Sequence, residues 1–400
     1  MSRVAITWLW TRFAVLASGL ALLAWLGWEE WVSLLRTQPL GIDFLPMWAA
    51  GREAFSHPDR VYNVIRLTRF EHPLLEGFAG PRPFVYPPTA LLLFALIAAM
   101  PFALANALWT IAGVILILAA VALWLPSQRW LVSFAMLASP AAVLVMVTGQ
   151  VTFLIAALAV TALVWLKKRP IMAGVLIGLA GVFKPQAMAL APVAFVASRE
   201  WRAMAAAAIC AGVVMAVATL VFGWDAWLAW AHALASFQRW VMATPALQRG
   251  MITPTALGLS LHLSPGADDI WRLAFAVGAV VMVWTVFRHT DDLARRLAAL
   301  LGGAFFITPY AMHYDAALLA PSAALMLATR PSPGAWIAAL IAGAVLCFAA
   351  VPHWGAAAVT AFTLFAALTP ASAFGGEWRR AEFSGTVEAR APRPEGAGVR

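Results

Sequence analysis

The chain has 400 residues, of which 63% are hydrophobic and 11% charged; soluble domains run at roughly 45–50% and about 25%, so a soluble fold is excluded and an all-α polytopic membrane protein is expected. The formal net charge of +9 does not point to nucleic acid, because Lys and Arg sit at the ends of apolar runs, as the positive-inside bias requires. The two cysteines, Cys210 and Cys347, lie inside apolar runs and form no disulfide framework, zinc motif or redox pair.

Each helical crossing of a bilayer needs about 20 apolar residues. The first run, 8–28, is flanked by Arg3 and Arg12 before it and by Glu29 and Glu30 after it. That asymmetry puts the N-terminus in the cytoplasm. No small-residue cleavage site follows Trp28, so the run reads as a retained span rather than a signal peptide. The segment 29–87 is then a long external loop. It holds Asp43, Arg52, Glu53, His57, Asp59, Arg60, Arg82 and other charges, and it closes on Phe84-Val85-Tyr86-Pro87-Pro88. Loops of this length are either functional or disordered. Apolar and aromatic residues run throughout this one, which argues against disorder.

Runs at 88–103 and 104–125 follow, split at Met100-Pro101. The run 131–148 contains Ser139-Pro140 and ends at Gly149-Gln150; it either spans or dips in and returns. Lys167-Lys168-Arg169 and Arg199-Glu200-Trp201-Arg202 look cytoplasmic, which favours the re-entrant choice and puts Gln150 and Lys184 on the outer side. The runs 149–167, 171–183, 187–198 and 203–223 come next. A tryptophan-rich segment from Trp224 to about Ser264 resembles an amphipathic helix lying at the interface. The runs 268–288, 293–309, 316–329, 335–351 and 355–374 complete a bundle of about 10–12 crossings. Residues 1–374 thus form one integral membrane domain, and 375–400, rich in Arg, Pro and Gly, read as a disordered cytoplasmic tail. No internal repeat is visible, which weighs against a transporter.

Ionisable residues at membrane depth cost about 2.5–3.5 kcal/mol each and are functional candidates by default. Lys184 stands in Gly181-Val182-Phe183-Lys184-Pro185-Gln186. It either snorkels to the headgroups or holds an anionic lipid or substrate group. His313 and Asp315 lie where one span breaks at Pro309 and the next begins. Asp43 precedes a short helix expected from Phe44, so its bland role is a helix N-cap. Gln150 and Tyr86 can likewise mark ordinary helix starts. There is no Walker loop, zinc motif or Ser-His-Asp signature, and no cofactor or metal is expected.

Taken in order, these pieces resemble glycosyltransferase family 87 over residues 40–330. The resemblance rests on Asp43-Phe44, Pro58 to Asn63, Phe84 to Pro88, Pro101 and Trp109, Gly149-Gln150-Val151-Thr152 (with Thr152 where the family has Asn), Ala173 to Leu179 followed by Lys184-Pro185, and Pro309 to His313. It implies a C-type fold and an enzyme that uses a polyprenyl-phosphate sugar. It further implies Asp43 as catalytic base and Lys184 and His313 near the donor phosphate, with Gln150, Tyr62 and Tyr86 as further substrate-binding candidates. The chemistry suits such a site: a phosphate leaving group tolerates negative charge, so a base and cations suffice. The expectation is a hexosyltransferase of the bacterial inner membrane, moving a hexose, mannose first, to a glycolipid or glycan acceptor at the periplasmic face. The bilayer and the lipid-linked donor are its partners. A transporter or flippase, or a non-catalytic subunit that binds polyprenyl lipid, are the alternatives.

Overall fold

The computed structural model describes residue 18 and residues 39–74, 81–123, 129–327, 335–348 and 354–369. The first run at 8–28, the start of the loop and the tail 375–400 lie outside the described residues. Among the described residues the regular structure is helical, with one isolated antiparallel bridge between Met251 and Met312. Three helices, Phe102–Ala122, Trp201–Phe222 and Pro265–His289, are long and apolar enough to cross a membrane by themselves. Shorter apolar helices surround them, including Pro88–Ile97, Thr152–Trp165, Pro170–Phe183 and Gly355–Leu368.

Proline sets most of the breaks, because it lacks the N–H a continuing helix needs. One helix ends at Ile97 and the next starts at Phe102, just past Pro101. Residues 131–148 split at Ser139-Pro140 into Arg129–Leu137 and Pro140–Thr148. Ser139 caps the second piece by accepting from the Ala142 amide, and Gly149 ends it in the left-handed region at φ +76°. Nine residues rise only about 14 Å, about half of the roughly 30 Å hydrocarbon core, so Pro140–Thr148 does not span by itself. The run 293–309 is not one regular helix. A π-helical turn, Ala298–Gly302, interrupts it, and Thr363 on Gly355–Leu368 lies so close to Gly302 that a Cβ there would fall 2.3 Å from its hydroxyl.

Small residues bring helices together. A Cβ on Gly174 would fall 2.1 Å from the Ala203 carbonyl, and one on Gly178 would lie 2.7 Å from that of Ala207. This close pairing of Pro170–Phe183 with Trp201–Phe222, of the kind small residues permit in membranes, fixes where Lys184 emerges. The first loop is folded onto the bundle. Its turn at Gly41 (φ +75°) donates from the Gly41 amide to Val147 O at 2.8 Å. The Asp43 and Phe44 amides donate to Thr148 O at 2.9 and 3.0 Å. The turn thereby satisfies the carbonyls that the Pro140–Thr148 helix leaves open at its end. Helix Leu45–Glu53 then packs on Pro88–Ile97: Trp48 Nε1 donates to Met100 O at 2.9 Å and Arg52 to Ala98 O at 3.0 Å. Phe44 stacks on Trp109, with ring centres 5.7 Å apart. The tryptophan-rich segment forms helix Asp225–Ala243, and Trp230 ties it to the end of the first loop by donating to Val85 O at 3.0 Å.

Candidate functional site

The first loop, the ends of Pro140–Thr148 and Pro170–Phe183, the Asp225–Ala243 helix and the segment 308–315 enclose a cavity of about 460 Å³. Asp43, Tyr86, Gln150, Lys184 and His313 all line it. Tyr62 does not; its hydroxyl donates to Tyr86 O at 3.0 Å and supports the wall from behind. Two further charged residues complete the lining, Arg82 and Asp315.

Asp43 is not an N-cap. The helix begins at Leu45 after Phe44, with no side-chain cap bond. The Asp43 carboxylate instead accepts from Arg82 Nη1 at 3.2 Å, and both side chains keep about a fifth of their surface exposed to the cavity. Its amide is spent on Thr148 O, so backbone bonds hold the residue while one carboxylate oxygen, Oδ2, stays open to a ligand.

Lys184 ends its helix beside Pro185 and is buried at 6% exposure, which rules out snorkelling. Its Nζ makes an ion pair with Asp315 Oδ1 and lies 6.0 Å from the Tyr314 ring centre. Asp315 also accepts from Thr152 Oγ1 at 3.4 Å and from the Met312 amide at 3.3 Å. The sequence leaves Lys184 between snorkelling and holding an anionic lipid or substrate group; in the structure its charge is balanced within the protein by Asp315. His313 donates from its amide to Gly250 O at 2.9 Å, and its Nδ1 lies 3.3 Å from the same oxygen. A carbonyl only accepts, so Nδ1 carries the proton and Nε2 is the bare nitrogen. Burial pushes the imidazole below its ordinary value, so it is neutral at pH 7. Tyr86 donates to Gln150 Oε1 at 3.1 Å, bridging the first loop to the turn after Pro140–Thr148.

The remaining wall is apolar and aromatic, with Trp230, Phe237 and Trp240 from Asp225–Ala243. Chemically, the cavity offers a carboxylate able to take a proton, two cations able to share an anion, hydrogen-bonding groups for a polar ligand, and an apolar side for a hydrocarbon. Arg82 is the residue the sequence reading does not single out; Asp315 stands out there beside His313, but not as the partner of Lys184. The signals were Arg82 locked between Pro81 and Pro83 just before Phe84-Val85-Tyr86, and Asp315 two residues past His313. Among the described residues, no three His, Cys, Asp or Glu side chains gather as a metal site would require.

The pattern that defines glycosyltransferase family 87 matches residues 84–309, more than half of the chain. That match includes Tyr86, Gln150 and Lys184; Arg82, His313 and Asp315 lie just outside it, and Asp43 lies well before its start. No curated protein and no solved structure matches the chain.

Proposed function

This chain belongs to glycosyltransferase family 87, and we propose that it transfers a hexose, mannose first, from a polyprenyl-phosphate carrier to a glycolipid or glycan acceptor. It is a membrane glycosyltransferase; the donor, the acceptor and the residues' roles are our reading. In that reading Asp43 is the base: it removes the proton of the acceptor hydroxyl as that oxygen attacks the anomeric carbon, and the bond to the phosphate breaks on the opposite face. One carboxylate with inversion suffices by analogy with inverting glycosidases, because the phosphate leaves without a general acid. Arg82 and Lys184 share the charge that develops on the phosphate. The Tyr86–Gln150 pair and His313 bind sugar hydroxyls and phosphate oxygens, and the aromatic face of Asp225–Ala243 receives the first isoprene units.

The observation that supports this most is that Asp43, from the first loop, lines the same cavity as Lys184, from a helix end more than a hundred residues on. A test is to incubate the purified protein with a panel of radiolabelled polyprenyl-phosphate sugars and, separately, nucleotide sugars. Transfer from the lipid-linked hexose with inverted configuration is expected; transfer from nucleotide sugars alone would overturn the donor. The cavity would face the periplasm of a bacterial inner membrane. Ser56, exposed beside helix Leu45–Glu53, should then, as cysteine, react with an impermeant thiol reagent added from outside, and protection would reverse the topology.

A further inference from the structure

Thr89 stands on the first turn of helix Pro88–Ile97 and is buried, at 2% exposure. A threonine on a helix often returns its hydroxyl to the carbonyl four residues back. Here that carbonyl, Val85 O, takes Trp230 instead, and Thr89 Oγ1 donates to Val182 O, 93 residues on. Val182 needs that partner. Helix Pro170–Phe183 stops because Lys184 leaves helical geometry (φ −137°, ψ 77°) and Pro185 brings no N–H. The Lys184 amide donates to Ala180 O at 2.9 Å, and the carbonyls after Ala180 are ones that a continuing turn would have filled. Phe183 is held from the same side: its ring meets that of Phe94, also on Pro88–Ile97, edge-on with centres 6.4 Å apart. The two residues just before Lys184 are thus both seated on Pro88–Ile97. Helix Leu45–Glu53 rests on it too, so closely that a Cβ on Gly51 would fall 2.3 Å from Phe94 O. One ten-residue helix therefore sets the loop element that follows Asp43 against the helix end that delivers Lys184 to the cavity.

We propose that Thr89 is a positioning residue for Lys184: its hydroxyl pins the end of Pro170–Phe183, so that the ammonium group stands at the cavity wall where a lipid-linked phosphate binds. The inference rests on the reading of Lys184 as a cation for the donor phosphate. A lysine has a long, flexible stem, and Asp315 holds only its far end. The near end is a chain leaving a helix, with a proline next. Without the Thr89 hydroxyl, Val182 O is a buried acceptor with no partner. The helix end then shifts or unwinds to find one, because an unmade buried hydrogen bond is costly. Lys184 moves with it, and an ammonium displaced from a phosphate loses a charge-assisted contact. The hydrocarbon of the ligand, received by the aromatic wall, does not depend on Thr89.

The experiment measures equilibrium binding of two radiolabelled probes, undecaprenyl phosphate and undecaprenol, to the purified protein in detergent, per folded molecule. The two differ only in the phosphate. Thr89→Val keeps the shape and removes the hydroxyl; Thr89→Ser keeps the hydroxyl. Thr89→Val should weaken undecaprenyl phosphate binding about tenfold, the scale of one misplaced charge-assisted contact, and leave undecaprenol within about twofold. Thr89→Ser should bind both probes as the wild type does. A merely structural Thr89 predicts lower melting temperature with phosphate binding unchanged, or an equal loss of both probes, and either result overturns the proposal, as does a Ser variant as weak as the Val variant. If Thr89→Val does not fold, Thr89→Ala, which removes the hydroxyl with less bulk, is read in the same way. Lys184→Met with Asp315→Leu is run beside them. If that variant binds undecaprenyl phosphate as tightly as the wild type, the reading of Lys184 has failed and this inference with it. If it loses the phosphate probe while Thr89→Val matches the wild type, only this inference has failed.

Discussion

The helical stretches that reach the cavity carry basic residues at both of their ends, and the two ends treat them differently. Pro170–Phe183 has Lys167 to Arg169 before it and Lys184 after it; the stretch 293–307 has Arg295 and Arg296 near its start and leads to His313. At the starting end, Arg295 donates to Ala366 O and Ala367 O at 3.3 and 2.8 Å, near the end of Gly355–Leu368. Arg296 donates to Thr290 O at 2.7 Å and Phe287 O at 3.3 Å, and meets Asp291 at 2.6 Å. Lys167 pairs with Glu200 at 3.0 Å. These arginines fill carbonyls that helix ends leave open. At the cavity end, Lys184 and Arg82 are held by carboxylates, Asp315 and Asp43, on the wall of an open volume. A cation bonded to main-chain carbonyls completes the fold and has nothing left to offer. A cation bonded to a side-chain carboxylate beside a cavity can share itself with an incoming anion.

The sharpest way to break that contrast is Asp43→Asn. Asn keeps the shape and still accepts from Arg82, but it cannot take a proton. Turnover should fall by about 10²-fold or more, toward 10⁴-fold, with the melting temperature within a degree or two. An Asn variant that keeps most of its activity would leave the cavity end as structural as the other. Lys184→Met comes next. Because Asp315 is buried at 5% exposure, removing its partner strands a charge and should cost about 3–5 kcal/mol of stability, read by detergent melting. Lys184→Met with Asp315→Leu should recover most of that stability and none of the donor binding. Recovery of both would mean that the pair only holds the helices together.

Arg296→Met probes the opposite end. Its loss leaves two carbonyls open, while Asp291, 73% exposed at the side chain, is returned to water without penalty. Stability should drop by about 2–3 kcal/mol, with turnover per folded molecule unchanged; a loss of turnover beyond the folded fraction would erase the distinction between the ends. A pH effect on stability is expected from Glu71 in the first loop. Glu71 is raised from 4.5 to about 8 in the folded chain, so the protonated carboxyl favours the fold. Its contribution is complete below about pH 4.5 and is lost as pH rises through about 8. Melting temperature should decline over that window, and the decline should be shallower in Glu71→Gln.

Much of this was legible because proline and charge leave marks that do not depend on tertiary contacts. The breaks at Met100-Pro101 and Ser139-Pro140 and the helix end at Lys184-Pro185 stand where proline removes an amide donor. Asp43, Lys184, His313, Gln150 and Tyr86 stood out as polar groups beside those breaks, and the structure gathers them around one cavity. What was hidden is pairing. Nothing local says that Lys184 will meet Asp315, 131 positions later, or that Arg82 will meet Asp43 across 39. Ala298-Ala299-Leu300-Leu301-Gly302 reads as plain helix, and its π-helical form depends on packing against Gly355–Leu368. Asp43 looked like a cap because Asp before a helix usually is one; the backbone bonds to Thr148 that free its carboxylate are tertiary.

Tyr62 offers the finest division, since it belongs to the cavity end without lining the cavity. Its hydroxyl reaches Tyr86 O at 3.0 Å, its ring centre lies 5.6 Å from that of Phe84, and Tyr86 in turn donates to Gln150 at 3.1 Å. If Tyr62 only props the wall, Tyr62→Phe removes one hydrogen bond and keeps the ring packing. Stability should then fall by about 1 kcal/mol, with donor KM and kcat within about twofold. Tyr86→Phe removes a hydroxyl from the cavity wall, so, if the proposed donor binds there, the same small stability loss should come with a clear rise in donor KM. Were Tyr62→Phe to raise donor KM as much as Tyr86→Phe does, Tyr62 would have to reach the substrate, and the wall at Tyr86 would have to open when the donor binds.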